Sequence, residues 1–91
     1  MHAAVTRRRT DGSPAEGWHS ESRVTLREAL AAYTEIPAAV HRMADVGSVA
    51  PGKRADLAIL SEDILGHPEA WLPDVTVDMT LFDGRIVHRT F

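Results

Sequence analysis

The stretch Gly47-Ser48-Val49-Ala50-Pro51-Gly52-Lys53-Arg54-Ala55-Asp56-Leu57-Ala58-Ile59-Leu60 sets how the rest of the chain is read. Proline presets φ at about −65° and glycine takes φ > 0 freely, so Pro51-Gly52 predicts the centre of a type II turn. Leu57-Ala58-Ile59-Leu60 is a short apolar run between polar neighbours, the pattern of a strand covered on both faces. Asp56, just ahead of that strand, is expected to bond backbone amides of the Pro-Gly turn. A helical segment before this stretch and a hairpin after it take their places from the turn.

Upstream, residues 1–23 form a loop-rich segment, with Thr10-Asp11-Gly12-Ser13-Pro14 as its loop signature. Ala3-Ala4-Val5-Thr6-Arg7-Arg8-Arg9 reads as the tail of a helix with cations in its last turn. A tail with no helix body ahead of it predicts further chain upstream. Arg7-Arg8-Arg9 fits a solvated face better than a phosphate contact, and Trp18 is a candidate anchor onto a neighbouring surface.

Residues 24–45 are helical. Thr25-Leu26-Arg27-Glu28 is a capping box, and Leu26, Ala29, Leu30 and Tyr33 fall on one helix face. Thr34 is expected to cap a second short helix with Pro37 in its first turn. The two helices should pack on a larger body through Leu26, Leu30, Tyr33 and Val40.

Residues 46–91 are β-rich. Pro68-Glu69-Ala70-Trp71 suits one helical turn in the connection after the central strand. Val75, Val77, Met79 and Leu81 then alternate with Thr76, Asp78, Thr80 and Phe82, the period of a strand. Asp83-Gly84 is a two-residue hairpin turn, with Arg85 to Thr90 as the return strand. The fold class is therefore α+β, two or three short helices followed by a small sheet with a C-terminal hairpin.

Composition narrows the function classes. The chain has 91 residues, 44% hydrophobic and 25% charged, enough for one small domain or a piece of a larger one. Its net charge of −3 gives no support for a nucleic-acid or anionic-membrane partner. The absence of cysteine excludes disulfides, thiolate metal sites and a thiol nucleophile. No apolar run reaches the roughly 20 residues of a membrane span, and residues 1–9 lack the apolar core of a secretory signal, so a cytoplasmic protein is expected.

The histidines, His2, His19, His41, His67 and His88, form no His-x-His or His-Glu-x-x-His pair. Glu28, Asp78 and Asp83 have local explanations as a cap, an exposed strand face and a turn. Ser48, Ser61 and Thr80 have no partner base at a recognisable spacing, and there is no Gly-rich phosphate loop. No catalytic, metal-ligating or cofactor-binding residue is assigned to this chain.

The central stretch, from Gly47-Ser48-Val49 through Pro51-Gly52-Lys53 to Ala55-Asp56-Leu57-Ala58-Ile59-Leu60, resembles the C-terminal signature of the amidohydrolase superfamily. Ala3-Ala4-Val5-Thr6-Arg7, Trp18, Val24 to Leu30, Ala32-Tyr33-Thr34, Ala38-Ala39, Val77 to Thr80 and Asp83 to Val87 are similar to the third amidohydrolase subgroup, which includes N-substituted formamide deformylases. The resemblance spans residues 3 to 88.

It implies a metal-dependent hydrolase with a TIM barrel and a composite β-sandwich, acting on non-peptide C–N bonds of the amide type. In such enzymes a divalent, zinc-type metal supplies an activated water. Its ligands are a His-x-His on the first barrel strand, a carboxylate or modified lysine, two later histidines and an aspartate on the eighth strand. None has a counterpart here. By the resemblance this chain begins just after the eighth strand and comprises the last barrel helices plus part of the sandwich.

Two readings follow. In the first the chain is the C-terminal structural portion of such an enzyme, from a truncated or split gene, and is inactive alone. It would then need self-association or the missing barrel portion as partner, because its strands lack their usual neighbours. In the second it is a stand-alone, non-catalytic interaction module derived from the sandwich. The substrate is not legible, since substrate contacts in such barrels come from loops outside this chain.

Overall fold

The computed structural model describes residues 1–66 and 72–91. In chain order they form helix α1 (His2–Thr6), a 3-10 turn (Ser20–Ser22), helices α2 (Leu26–Tyr33) and α3 (Glu35–Val40), strand β1 (Leu57–Leu60), a second 3-10 turn (Leu72–Asp74), and strands β2 (Val77–Phe82) and β3 (Arg85–Arg89). Helices therefore precede a small antiparallel sheet with a C-terminal hairpin, as the fold class requires. The helical turn expected over Pro68 to Trp71 lies outside the described residues.

The arginines do not sit in the last turn of α1. Arg7 turns left-handed at φ 54° and ends the helix before them. The cause is local: the Thr6 hydroxyl donates to the His2 carbonyl at 2.9 Å and accepts from the Arg8 amide at 3.1 Å, drawing the chain off the helical path. The loop then folds back on the helix, the Trp18 amide meeting the Arg7 carbonyl at 2.8 Å and the Val24 amide the Ala4 carbonyl at 3.0 Å.

The capping box forms as the sequence demands. Thr25 Oγ1 accepts from the Glu28 amide at 3.1 Å, and the Thr25 amide donates to Glu28 Oε2 at 3.4 Å. Thr34 behaves differently from expectation. Its hydroxyl donates back to the Leu30 carbonyl at 2.8 Å and so closes α2, leaving no side-chain cap for α3. Pro37 falls early in α3, where an amide would be unpaired in any case. Ala29 and Ala38 are buried, whereas Tyr33 and Val40 are 68% and 71% exposed. Beyond α3, Gly47 crosses the helix at φ 93°, and a Cβ there would lie 2.6 Å from the Ala38 Cβ. Only glycine satisfies both the positive φ and the approach.

The Pro-Gly turn forms, with Gly52 at φ 87° and the Lys53 amide donating to the Ala50 carbonyl at 3.2 Å, the type II arrangement. Asp83 (φ 49°) and Gly84 (φ 79°) both take the left-handed region, as a type I′ hairpin turn requires. The sheet order is β1-β2-β3, antiparallel throughout. Leu57 pairs with Leu81 and Leu81 with Ile86, while Ile59 pairs with Met79. Directly paired residues share a face, so Leu57, Ile59, Met79, Leu81 and Ile86 make one apolar face. Register shifts leave Asp78 unpaired against β1 and Val87 unpaired against β2.

The central strand is not covered on both faces. β1 pairs only with β2 and sits at the sheet edge, and Ile59 is 46% exposed. The connection after β1 is stapled at its ends: the Ser61 amide donates to the Thr76 carbonyl at 2.9 Å, and the Thr76 amide donates to Ser61 Oγ at 3.0 Å.

Among the described residues the buried apolar side chains are Ala29, Ala38 and Ile64. The radius of gyration is 15.0 Å, against about 12 Å for a compact domain of this length. The accessible surface is 6844 Å², about 1,600 Å² more than the roughly 5,200 Å² of a compact monomer of 10.0 kDa.

Candidate functional site

Two places gather polar chemistry. The first is the signature stretch. Asp56 does not bond the Pro-Gly turn; its Oδ1 accepts from the Asp83 amide at 2.8 Å, and beside it the Ala55 carbonyl accepts from the Gly84 amide at 3.0 Å. The segment leading into β1 thus grips the β2–β3 turn from the far side of the sheet. A turn at 51–52 closes on itself through Ala50 and Lys53, so its amides leave Asp56 no task there. Lys53 Nζ donates to Ser48 Oγ at 2.8 Å, and Arg54 pairs with Asp45 at 2.7 Å while its amide meets the Asp45 carbonyl at 2.7 Å. Lys53 and Asp56 hold backbone in place, and neither faces a second group with which to do acid–base work.

The second place is the corner between α1 and the loop after it. Arg7, Arg8, Arg9, Ser13, Pro14 and Trp18 line an open pocket of about 600 Å³. Arg7 lies over the Trp18 ring at 5.3 Å from its centroid and donates through Nε to the Trp18 carbonyl at 2.9 Å. Trp18, read as an anchor, is 63% exposed and its ring meets His19 edge-on at 4.3 Å. Arg8 Nε is withdrawn from solvent without an acceptor. The Ser13 hydroxyl at 2.6 Å and amide at 2.8 Å both bond Asp11 Oδ1, holding the Asp11 carboxyl below its usual range. Glu21 is likewise lowered, by its own backbone amide and then by His19 at 3.0 Å. The sequence singled out the three arginines and Trp18; that the chain reversal at Ser13 closes them into one pocket had no signal in residue spacing.

The histidines stay apart. His19 pairs with Glu21, His88 Nε2 lies 3.2 Å from the Val77 carbonyl, and His2 Nε2 lies 3.3 Å from the Arg9 carbonyl. Among the described residues no three His, Asp or Glu side chains converge where one ion might be held. The donor set therefore does not fit a catalytic metal. No helix is long and apolar enough to cross a membrane, among the described residues.

Residues 1–88 match the Amidohydrolase family, and the chain belongs to it. Over 90 residues it is 38% identical to the N-substituted formamide deformylase of Arthrobacter pascens, covering 98% of this chain. It spans 16% of the length of that relative. No solved structure matches the chain.

Proposed function

We propose that these 91 residues are the C-terminal structural portion of a cytoplasmic, metal-dependent amidohydrolase that cleaves non-peptide C–N bonds of the amide type. The observation that carries this reading is the half-open apolar face of the sheet. Leu57, Ile59, Met79, Leu81 and Ile86 share it through their register, yet Ile59 and Ile86 remain 46% and 50% exposed. A lone soluble domain buries such a face, and one left open suits the missing strands of a sandwich. The surface excess of about 1,600 Å² is of the size that a standard interface removes from water. Likeness to a formamide deformylase of which this chain spans 16% supports the same reading.

The chemistry of the whole enzyme rests on a metal ion that activates water and polarises the carbonyl when bound. None of this chain's described residues takes part in holding it; their task is to brace the barrel through α2, α3 and the sheet. The test is complementation. The purified chain with zinc and an N-substituted formamide should show no turnover. The same chain, mixed with a deformylase relative lacking the matching C-terminal part, should restore soluble, active enzyme. Turnover by the chain alone, abolished by a substitution within it, would overturn the proposal.

A further inference from the structure

The pocket beside α1 has no task in bracing a barrel or completing a sheet, and its chemistry is distinct from the rest of the surface. Three consecutive arginines gather at one corner of a chain whose net charge is −3. Two of them are spoken for. Arg7 is committed to the Trp18 carbonyl and ring and has Glu21 as a charged neighbour, and Arg9 has Asp11 nearby. Those carboxylates are themselves occupied, Asp11 by Ser13 and Glu21 by His19. Arg8 stands apart: it takes part in neither ion pair among the described residues, and its Nε is buried with no acceptor. A guanidinium donor withdrawn from water and left unpaired is a standing cost that an incoming anion removes. Pro14 and the exposed indole of Trp18 supply apolar surface next to that charge.

We infer that this corner is a binding site for a small aromatic carboxylate, its ring resting against Trp18 and Pro14 and its carboxylate taken by the fork of Arg8. A bare inorganic anion leaves the indole uncovered, and a neutral aromatic leaves Arg8 unpaired, so both halves of the ligand are needed. This goes beyond the hydrolase reading and stands independently of it.

The test uses the 91-residue chain carrying Trp71→Phe, which leaves Trp18 as the sole indole. Benzoate should quench Trp18 fluorescence with a saturable curve, while benzamide and inorganic phosphate should each bind about tenfold or more weakly. Arg8→Gln should weaken benzoate by about tenfold, and Arg8→Lys should recover part of the loss because it restores charge without the planar fork. In the chain with Arg8 intact, benzoate should shift the Arg8 Nε–H resonance, a readout that does not depend on the variants folding. Absence of saturation, benzamide binding as tightly as benzoate, phosphate binding as tightly as benzoate, or an unmoved Arg8 resonance would each overturn the assignment.

Discussion

Asp56 shows how much a single carboxylate in this chain does for backbone rather than chemistry. It accepts the Asp83 amide at 2.8 Å across 27 positions of sequence, and the neighbouring Ala55 carbonyl takes the Gly84 amide. Asp56→Ala should therefore cost on the order of 1 kcal/mol and speed hydrogen exchange at Asp83, whereas Asp56→Asn, which keeps an acceptor, should cost less. Unchanged exchange at Asp83 in Asp56→Ala would show that the contact carries no stability. Gly47 tests a different physics. Gly47→Ala forces an L side chain to φ 93° and places its Cβ 2.6 Å from that of Ala38, for an expected loss of about 2 kcal/mol or more. In an Ala38→Gly background the steric part disappears and the φ strain remains, so Gly47→Ala should cost measurably less there than in the natural chain. Chemical denaturation of the four proteins gives the coupling directly.

At the scale of elements, what was legible in the sequence was whatever its own neighbours dictate. Thr25 and Glu28 sit three apart, and their capping box forms; Pro51-Gly52 and Asp83-Gly84 carry their own dihedral preferences, and both turns form. What escaped was set by partners distant in sequence or by competition among neighbours. Thr34 had two carbonyl and amide groups to choose between, and it closed α2 rather than opening α3. β1 is apolar at every position, the mark of a doubly covered strand, yet it lies at an edge because its cover is not within these residues. That edge makes the third prediction. A short apolar edge strand is a template for pairing with another chain, so the free protein should self-associate as its concentration rises. Ile59→Lys, which puts charge on the open apolar face, should lower that tendency in sedimentation velocity. If Ile59→Lys leaves association unchanged, the contact between copies runs elsewhere.

The whole molecule carries more surface than its mass requires. A gyration radius of 15.0 Å and a core of Ala29, Ala38 and Ile64 leave little cooperative packing to lose on heating. The isolated chain should melt broadly, with a shallow denaturant slope for its length, and gain a sharper transition when bound to the remainder of a hydrolase. A sharp melt of the monomer would contradict that. The Ser61–Thr76 staple bears on how such a chain tolerates change in length. Because those two residues bond each other directly, the 14 residues from 62 to 75 join two points already held together. Lengthening such a connection costs only about 0.6 kcal/mol per doubling. A Gly/Ser insert of comparable length after Gly66 should therefore leave the β1–β2 register intact, which makes this joint the natural port for a tag or a tether on an otherwise fragile sheet.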